Sequence, residues 1–379
     1  MSETARTGVF AALVSSWPLL GIAVALSALG MLTMHPFGEG GESLALRQGV
    51  WVLLGVLVYG FCAVSDMHVL RRTSVLVTGY VAVLLLLMLL LLVASPVQGA
   101  KAWFSLGAFS FQPADFAKLV LIALLAKYFS RRHVEMRQPR HLILSGVYAF
   151  LVIALVLVQP DLGTAAILGT VWFGMVLVSG IPKRQIAIMG AIGLIAATGL
   201  WFFGLHDYQR ERIVAFLNPA ADIRGAGYNA YQAVVAAGSG ELWGKGIGYG
   251  TQSKLRFLPE YETDFIFAAF AEEWGFAGVF LVLILYGFLL AQLLTIARRA
   301  ATNFDAFFTI GVALLFLAHV FIHAGINLGL LPVTGTTIPF MSYGGSHLIV
   351  EFAALGIVAS LARHGRSAPR ESVGQEYVG

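Results

Sequence analysis

A long polar stretch gives way to a long apolar run within LPEYETDFIFAAFAEEWG (residues 258–275), which carries several carboxylates. Asp264 stands at the boundary, and Glu272 and Glu273 follow two helical turns deeper. A carboxylate at such a boundary can meet both a water-borne hydroxyl and the head of a membrane lipid. Ionisable groups inside a membrane span cost about 2.5–3.5 kcal/mol each on insertion scales, so they are functional candidates by default. The plain alternative is a paired or snorkelling acid at a helix end.

Other polar residues sit in comparable places. Gln112-Pro113-Ala114-Asp115-Phe116-Ala117-Lys118 opens an apolar segment. Pro113 suits a first helical turn, and Asp115 and Lys118 are i, i+3 neighbours on one face. They form either a local ion pair or the charged wall of a cavity. Asp161, in the turn QPDLGT (159–164), is a wall residue or a helix N-cap. His319 and His323 are i, i+4, a spacing that can hold a metal, although interhelical hydrogen bonding is the commoner use of two histidines without a third ligand. Glu351 requires a partner, for which His323 and His347 are candidates.

The elements that must position these residues follow from composition. Of 379 residues, 58% are hydrophobic and 12% charged, which excludes an ordinary soluble protein. Ten apolar runs approach the length needed to cross a bilayer: 14–34, 47–65, 74–94, 114–130, 142–159, 164–180, 185–204, 264–297, 305–328 and 345–362. The fold expected is an all-α polytopic membrane protein, residues 1–379 forming one membrane domain.

Fourteen basic residues fall on one side: Arg6, Arg71, Arg72, Arg131, Arg132, Arg137, Arg140, Lys183, Arg184, Arg298, Arg299, Arg363, Arg366 and Arg370. The short loops of the other side carry Arg47 and Lys101, with Lys118 at a span entrance. Both termini are therefore expected in the cytoplasm, and one long loop, about 205–263, outside. The formal charge of +4 is accounted for by these anchors and calls for no nucleic-acid partner. The first span reads as an uncleaved anchor, and the tail from about 364 to 379 as disordered. The single cysteine, Cys62, excludes an internal disulfide.

The long loop contains two helical patterns, 208–217 (YQRERIVAFL) and 228–237 (YNAYQAVVAA), expected to lie on or dip into the bilayer surface. Arg210 and Arg212 in the first are candidate phosphate ligands or interfacial anchors. Residues 238–250 (GSGELWGKGIGYG) match no nucleotide-binding pattern, because Gly246 follows Lys245, and read as a flexible loop over a site. Residues 331–346 (LPVTGTTIPFMSYGGS) hold two prolines, three glycines and several hydroxyls, Ser342 and Ser346 among them. Irregular backbone at membrane depth must be buried in protein or line a cavity.

Taken together, FQPADFAK (111–118), QPDLGT (159–164), HDYQRERI (206–213), GTQSKLRFLPEYETDFIFAAFAEEWG (250–275) and the 331–346 stretch resemble the shape, elongation, division and sporulation (SEDS) family of peptidoglycan polymerases. The resemblance covers nearly the whole chain, and GTQS is closest to the RodA branch. Departures exist. Family members usually have Glu at Asp115, many have His at Glu262, an Asn is common at His323, and Ser or Ala is usual at His347.

The resemblance implies polymerisation of lipid II, a disaccharide-pentapeptide on undecaprenyl pyrophosphate, at the outer face of the cytoplasmic (inner) membrane. A GlcNAc 4-hydroxyl attacks the anomeric carbon of the donor MurNAc with inversion, for cell elongation and rod shape. In that chemistry Asp264 is the general base. Lys118, Arg210 and Arg212, or a divalent cation such as Mg or Mn, stabilise the leaving diphosphate. Asp115, Asp161, Ser342 and Ser346 complete the expected substrate site. The partner implied is a class B penicillin-binding protein transpeptidase, with other elongation-complex membrane proteins.

A flippase or transporter of lipid-linked precursors has similar composition. It is expected to carry its site near the midplane, often between inverted repeats, whereas Asp264, Lys118 and Asp161 gather at span ends. A non-catalytic scaffold leaves the charged cluster unexplained.

Overall fold

The computed structural model describes residues 3–34, 44–94, 101–106, 109–132, 138–218, 225 and 227–364. Arg6 lies where only the backbone is described. Arg137, Arg366, Arg370 and the tail from 365 lie outside the described residues.

Ten long helices account for the ten apolar runs: α1 (Glu3–Met34), α2 (Leu44–Val64), α3 (Thr73–Val93), α4 (Pro113–Arg132), α5 (Pro139–Val158), α6 (Leu162–Val178), α7 (Lys183–Gly199), α11 (Ile266–Arg298), α12 (Asn303–Asn327) and α13 (Gly345–His364). Between them lie α8 (Asp207–Leu217), α9 (Tyr228–Ser239) and the single turn α10 (Thr251–Lys254). Eight of the long helices are apolar and long enough to cross a membrane. The other two are α6, an apolar helix of 17 residues, and α4. α4 carries Asp115, Lys118 and Lys127, tolerable because most of its residues are buried among other helices rather than in lipid.

Burial separates centre from periphery. The span of α12 is 67% buried and that of α13 72%, while the α7 span is 6% buried. α13 packs on α2, and α12 lies against α4, α6 and α11. α9 packs along α11 through the buried Ala233 and Ala236. At the end of the bundle away from α8–α10, Arg71 Nη2 meets Asp305 Oδ2 at 2.6 Å, and Arg363 Nη2 donates to the Val64 carbonyl.

A small antiparallel hairpin, β1 (Phe104–Leu106) with β2 (Phe109–Phe111), precedes α4. Three-residue strands are too short for the periodicity that marks strands in sequence, so the hairpin is a structural finding.

The segment between α12 and α13 is irregular and enclosed, as its prolines and glycines require. Its polar backbone is satisfied by side chains from four spans. His323 Nδ1 donates to the Thr336 carbonyl (2.7 Å), His319 Nδ1 to Thr337 (3.0 Å) and Tyr286 Oη to Pro339. Gln48 Nε2 donates to the Ser342 carbonyl and Gln48 Oε1 accepts from Gly344 N–H. Glu351 Oε2 accepts from Phe340 N–H at 2.8 Å. The partner of Glu351 is thus a backbone amide, not His323 or His347. Phe340 has φ +64, a conformation costing a non-glycine residue about 1–3 kcal/mol, and is held there by that bond and by the rings of Phe316 and Phe352.

Small residues admit this segment to the core. A Cβ on Gly30 of α1 would lie 2.3 Å from the Met341 carbonyl oxygen. Backbone cannot move aside as a side chain can, so Gly30→Ala is expected to displace the segment. Overpacking of this kind costs about 1–3 kcal/mol. The check is thermal unfolding of the purified protein in detergent, where Gly30→Ala should lower the midpoint by several degrees and Gly60→Ala, with open space at its Cβ, should not.

Candidate active site

One cavity of about 560 Å³ opens among the first turns of α4, α6 and α13, the side of α8, the 260–264 segment and residues 332–337. It brings together Asp264, Lys118, Asp115, Asp161, Arg212 and Ser346, which are scattered over more than 200 positions of sequence.

Asp264 lies just before α11, whose N-cap is Phe265. Its segment is fastened by three successive carbonyls. Tyr343 N–H donates to Glu262 O (2.8 Å), Ser342 Oγ to Thr263 O (2.9 Å) and Asn327 Nδ2 to Asp264 O (3.0 Å). The carboxylate is left facing the cavity, and a Cβ on Gly335 would sit 3.5 Å from its Oδ2. Desolvation, then the charge of Glu260, push the Asp264 carboxyl up to about 7 against the counteracting Arg212 guanidinium, with Asp161 and Glu262 adding smaller upward pushes.

The cationic side of the cavity is built on α4. Lys118 Nζ donates to Asp115 Oδ1 at 3.0 Å, across the i, i+3 spacing, and meets His319 Nε2 at 3.3 Å. A carbonyl only accepts, so the His319 Nδ1 facing Thr337 O carries the proton and Nε2 presents its lone pair to the ammonium. Ser346 Oγ donates to Asp115 Oδ2 at 3.0 Å. Asp115 and Lys118 are therefore both an ion pair and part of the cavity wall.

Asp161 also does both jobs open to it. Its Oδ1 caps α6 by accepting Thr164 N–H at 2.9 Å, while Oδ2 accepts from Gln112 Nε2. Burial raises its pKa, opposed by the bond to Thr164.

Four expectations need correction. Arg210 does not line the cavity: its guanidinium donates to the Trp201 and Phe202 carbonyls in the π-helical turn Leu200–Gly204 that follows α7, and pairs with Asp207. Ser342 is buried and also falls outside the cavity; its Oγ accepts from Ile338 N–H while donating to Thr263.

Residues 238–250 are not a free loop over the cavity. They are strapped to a break in α11 at Gly275 (φ +64), where Lys245 N–H and Gly246 N–H donate to the carbonyls of Glu272 and Glu273. The two acids deep in the helix serve this strap and not the cavity. Glu272 Oε1 accepts from Lys245 Nζ (2.7 Å), Thr251 N–H and Thr251 Oγ1, and Glu273 Oε1 accepts from Gly248 N–H.

Sequence reasoning missed Gln48, Asn327, Glu260, Tyr208 and Trp51. Gln48 and Asn327 carried a usable signal, an amide within an apolar span. The others lay in segments where polar and aromatic residues are ordinary.

A divalent cation requires several converging oxygen donors. Among the described residues no group of three or more His, Cys, Asp or Glu converges. Both oxygens of Asp115 and both of Asp161 already accept hydrogen bonds. Among the described residues there is thus no all-protein cage for a metal.

The chain matches the family model FtsW/RodA/SpoVE, described as cell cycle protein, over residues 8–367. It is 41% identical over 287 residues to peptidoglycan glycosyltransferase MrdB of Escherichia coli K12, covering 75% of this chain and 77% of that protein. It is 34% identical over 348 residues to stage V sporulation protein E of Bacillus subtilis, covering 92% and 94%. Among solved structures, a chain of a peptidoglycan synthase complex that coordinates polymerization and crosslinking superposes with a TM-score of 0.79 at 34% identity, covering 93% of this chain and 98% of that one. The rod shape determining protein RodA of Thermus thermophilus gives 0.68 at 32% identity, covering 94% and 97%.

The charges around Asp264 set the direction of two titration shifts. The carboxylate form should grow as pH rises through about 7. Removing the Glu260 charge (Glu260→Gln) should move the midpoint down, and removing the Arg212 charge (Arg212→Gln) should move it up. Infrared difference spectroscopy of the protonated carboxyl band, referenced to Asp264→Asn, reads both. Shifts of the same sign in the two variants would contradict this electrostatic account.

Proposed function

Because the chain belongs to the FtsW/RodA/SpoVE family and is a peptidoglycan glycosyltransferase, we propose that its cavity polymerises lipid II by transferring the growing glycan from undecaprenyl diphosphate. The observation that carries this reading is a half-buried carboxylate, Asp264, sharing one cavity with two cationic side chains, Lys118 and Arg212.

A sugar hydroxyl is a weak nucleophile until a positioned base takes its proton. Efficiency is greatest when the base has a pKa near the working pH, and Asp264 at about 7 meets that condition. Asp264 accepts the proton of the GlcNAc 4-hydroxyl as its oxygen bonds to the donor's anomeric carbon. The bond from that carbon to the diphosphate oxygen breaks, and the electron pair leaves with the diphosphate. Attack opposite the leaving group inverts the anomeric centre. Lys118, held by Asp115 and His319, and Arg212 on α8 stabilise the developing negative charge.

The reading extends to place and partner. The protein acts in the bacterial inner membrane with the cavity facing outward, which the basic residues at the opposite ends of the spans support. It serves cell elongation, supported by the MrdB and RodA likenesses. A class B penicillin-binding protein transpeptidase crosslinks the product, supported by the likeness to a synthase complex.

Asp264→Asn keeps shape and removes proton acceptance. Polymerisation of purified lipid II should fall at least about 100-fold, the lower range for general-base catalysis. Well-folded variant protein giving near-normal polymer would remove Asp264 from this role. Initial rates with and without saturating transpeptidase test the pairing. An unchanged rate together with no co-purification would show that the partner does not govern activity.

A further inference from the structure

Two residues that line the cavity carry buried polar atoms that the protein leaves unsatisfied. His347 Nε2 and Thr336 Oγ1 are buried and have no hydrogen-bond partner among the described residues. The two residues are 7% and 4% exposed, and both line the cavity. Buried polar groups in native proteins are satisfied by protein, water or ligand in the great majority of cases. Two such atoms in the wall of a substrate cavity point to a polar group of the substrate.

Their position says which group. Gly345, Ser346 and His347 form the first turn of α13, a helix of 20 residues, and all three line the cavity. A helix start leaves N–H groups without intrahelical acceptors and carries partial positive charge. Phosphate is the ligand that such a site favours. Asp115 already faces this turn through Ser346 Oγ, but Lys118 compensates its charge at 3.0 Å. An ammonium has three N–H donors, and Asp115 and His319 use two of them.

We propose that the first turn of α13, with His347 Nε2 and Thr336 Oγ1 as side-chain donors, seats the diphosphate of the polyprenyl carrier, and that Lys118, bonded to the same Asp115 as Ser346, supplies the counter-charge. This rests on the glycosyltransferase reading and adds a location to it. Thr336 is fixed in register by the His323 bond to its carbonyl and by Gly163, where a Cβ would lie 2.5 Å from Thr336 Cγ2.

The test uses full-length protein in nanodiscs and two probes, undecaprenyl diphosphate and undecaprenol. The alcohol shares the chain but lacks the anion. Wild-type protein should bind the diphosphate more tightly than the alcohol. His347→Ala and Thr336→Val should each weaken diphosphate binding about tenfold, the effect of losing one hydrogen bond to a charged group, with alcohol binding unchanged. His347→Gln, which retains a donor, should recover most of the loss. Thr336→Val preserves shape and keeps the test decisive if His347→Ala does not fold.

Equal losses for both probes would make these residues structural and overturn the proposal. So would an unchanged diphosphate-to-alcohol ratio in both variants, or no preference for the diphosphate in wild-type protein. Lipid II polymerisation measured on the same wild-type preparation separates the two levels. Activity with an unchanged ratio removes the seat alone, and absence of activity even with saturating transpeptidase removes the reading of this cavity as the lipid II site.

Discussion

The structure depends on keeping irregular backbone dry without leaving it unsatisfied. Residues 331–344 adopt no helix or strand, yet they run between the most buried spans of the bundle. A buried backbone group without a partner costs about 1–3 kcal/mol. The bundle answers with side chains placed on four different spans: Gln48 on α2, Tyr286 on α11, His319 and His323 on α12, and Glu351 on α13. Each is an expensive residue in an apolar helix, and each reaches a particular backbone atom of this segment. Their combined effect is to fasten an irregular chain at several backbone atoms.

That fastening also shapes the candidate site. The same segment supplies Ser342 and Tyr343 to fasten the carbonyls beside Asp264, and Thr334–Thr337 as a cavity wall. It ends where α13 begins, so the direction of that helix is set by the same contacts. The general-base role proposed for Asp264 needs a fixed position and an incomplete set of partners. Here the backbone of Asp264 is bonded by Asn327, while the carboxylate faces the cavity and repels its neighbours Glu260 and Asp161. Lys118 is treated in the opposite way. Two acceptors hold it, because a buried ammonium without them would be prohibitively costly.

Glu272 and Glu273 show that acidity within a span does not by itself identify chemistry. Their carboxylates receive backbone and side-chain donors from residues 245–252 and tie the outer strap to the Gly275 break. The preceding turns of α11, from Ile266 to Glu273, are buried on every side. A lipid-facing pattern begins only at Phe276. The strap and the break therefore divide α11 into a part that supports Asp264 and a part that crosses the membrane.

The apolar runs determined the ten long helices, because a segment in hydrocarbon has to satisfy its own backbone. The i, i+3 spacing placed Asp115 and Lys118 on one helix face, and the motif set identified the family. Sequence spacing also contained a distinction that remained unresolved until the fold was known. Arg210 and Arg212 are two positions apart on α8, so they point to different faces. Only the packing of α8 decided that Arg212 enters the cavity and Arg210 binds the turn that follows α7. Likewise, Asp264, Glu272 and Glu273 are all acids in one motif, and only the position of the strap assigned the last two to structure. Local sequence fixes what a helix is and which residues share its face; which face meets a cavity depends on contacts between residues hundreds of positions apart, which no local pattern encodes.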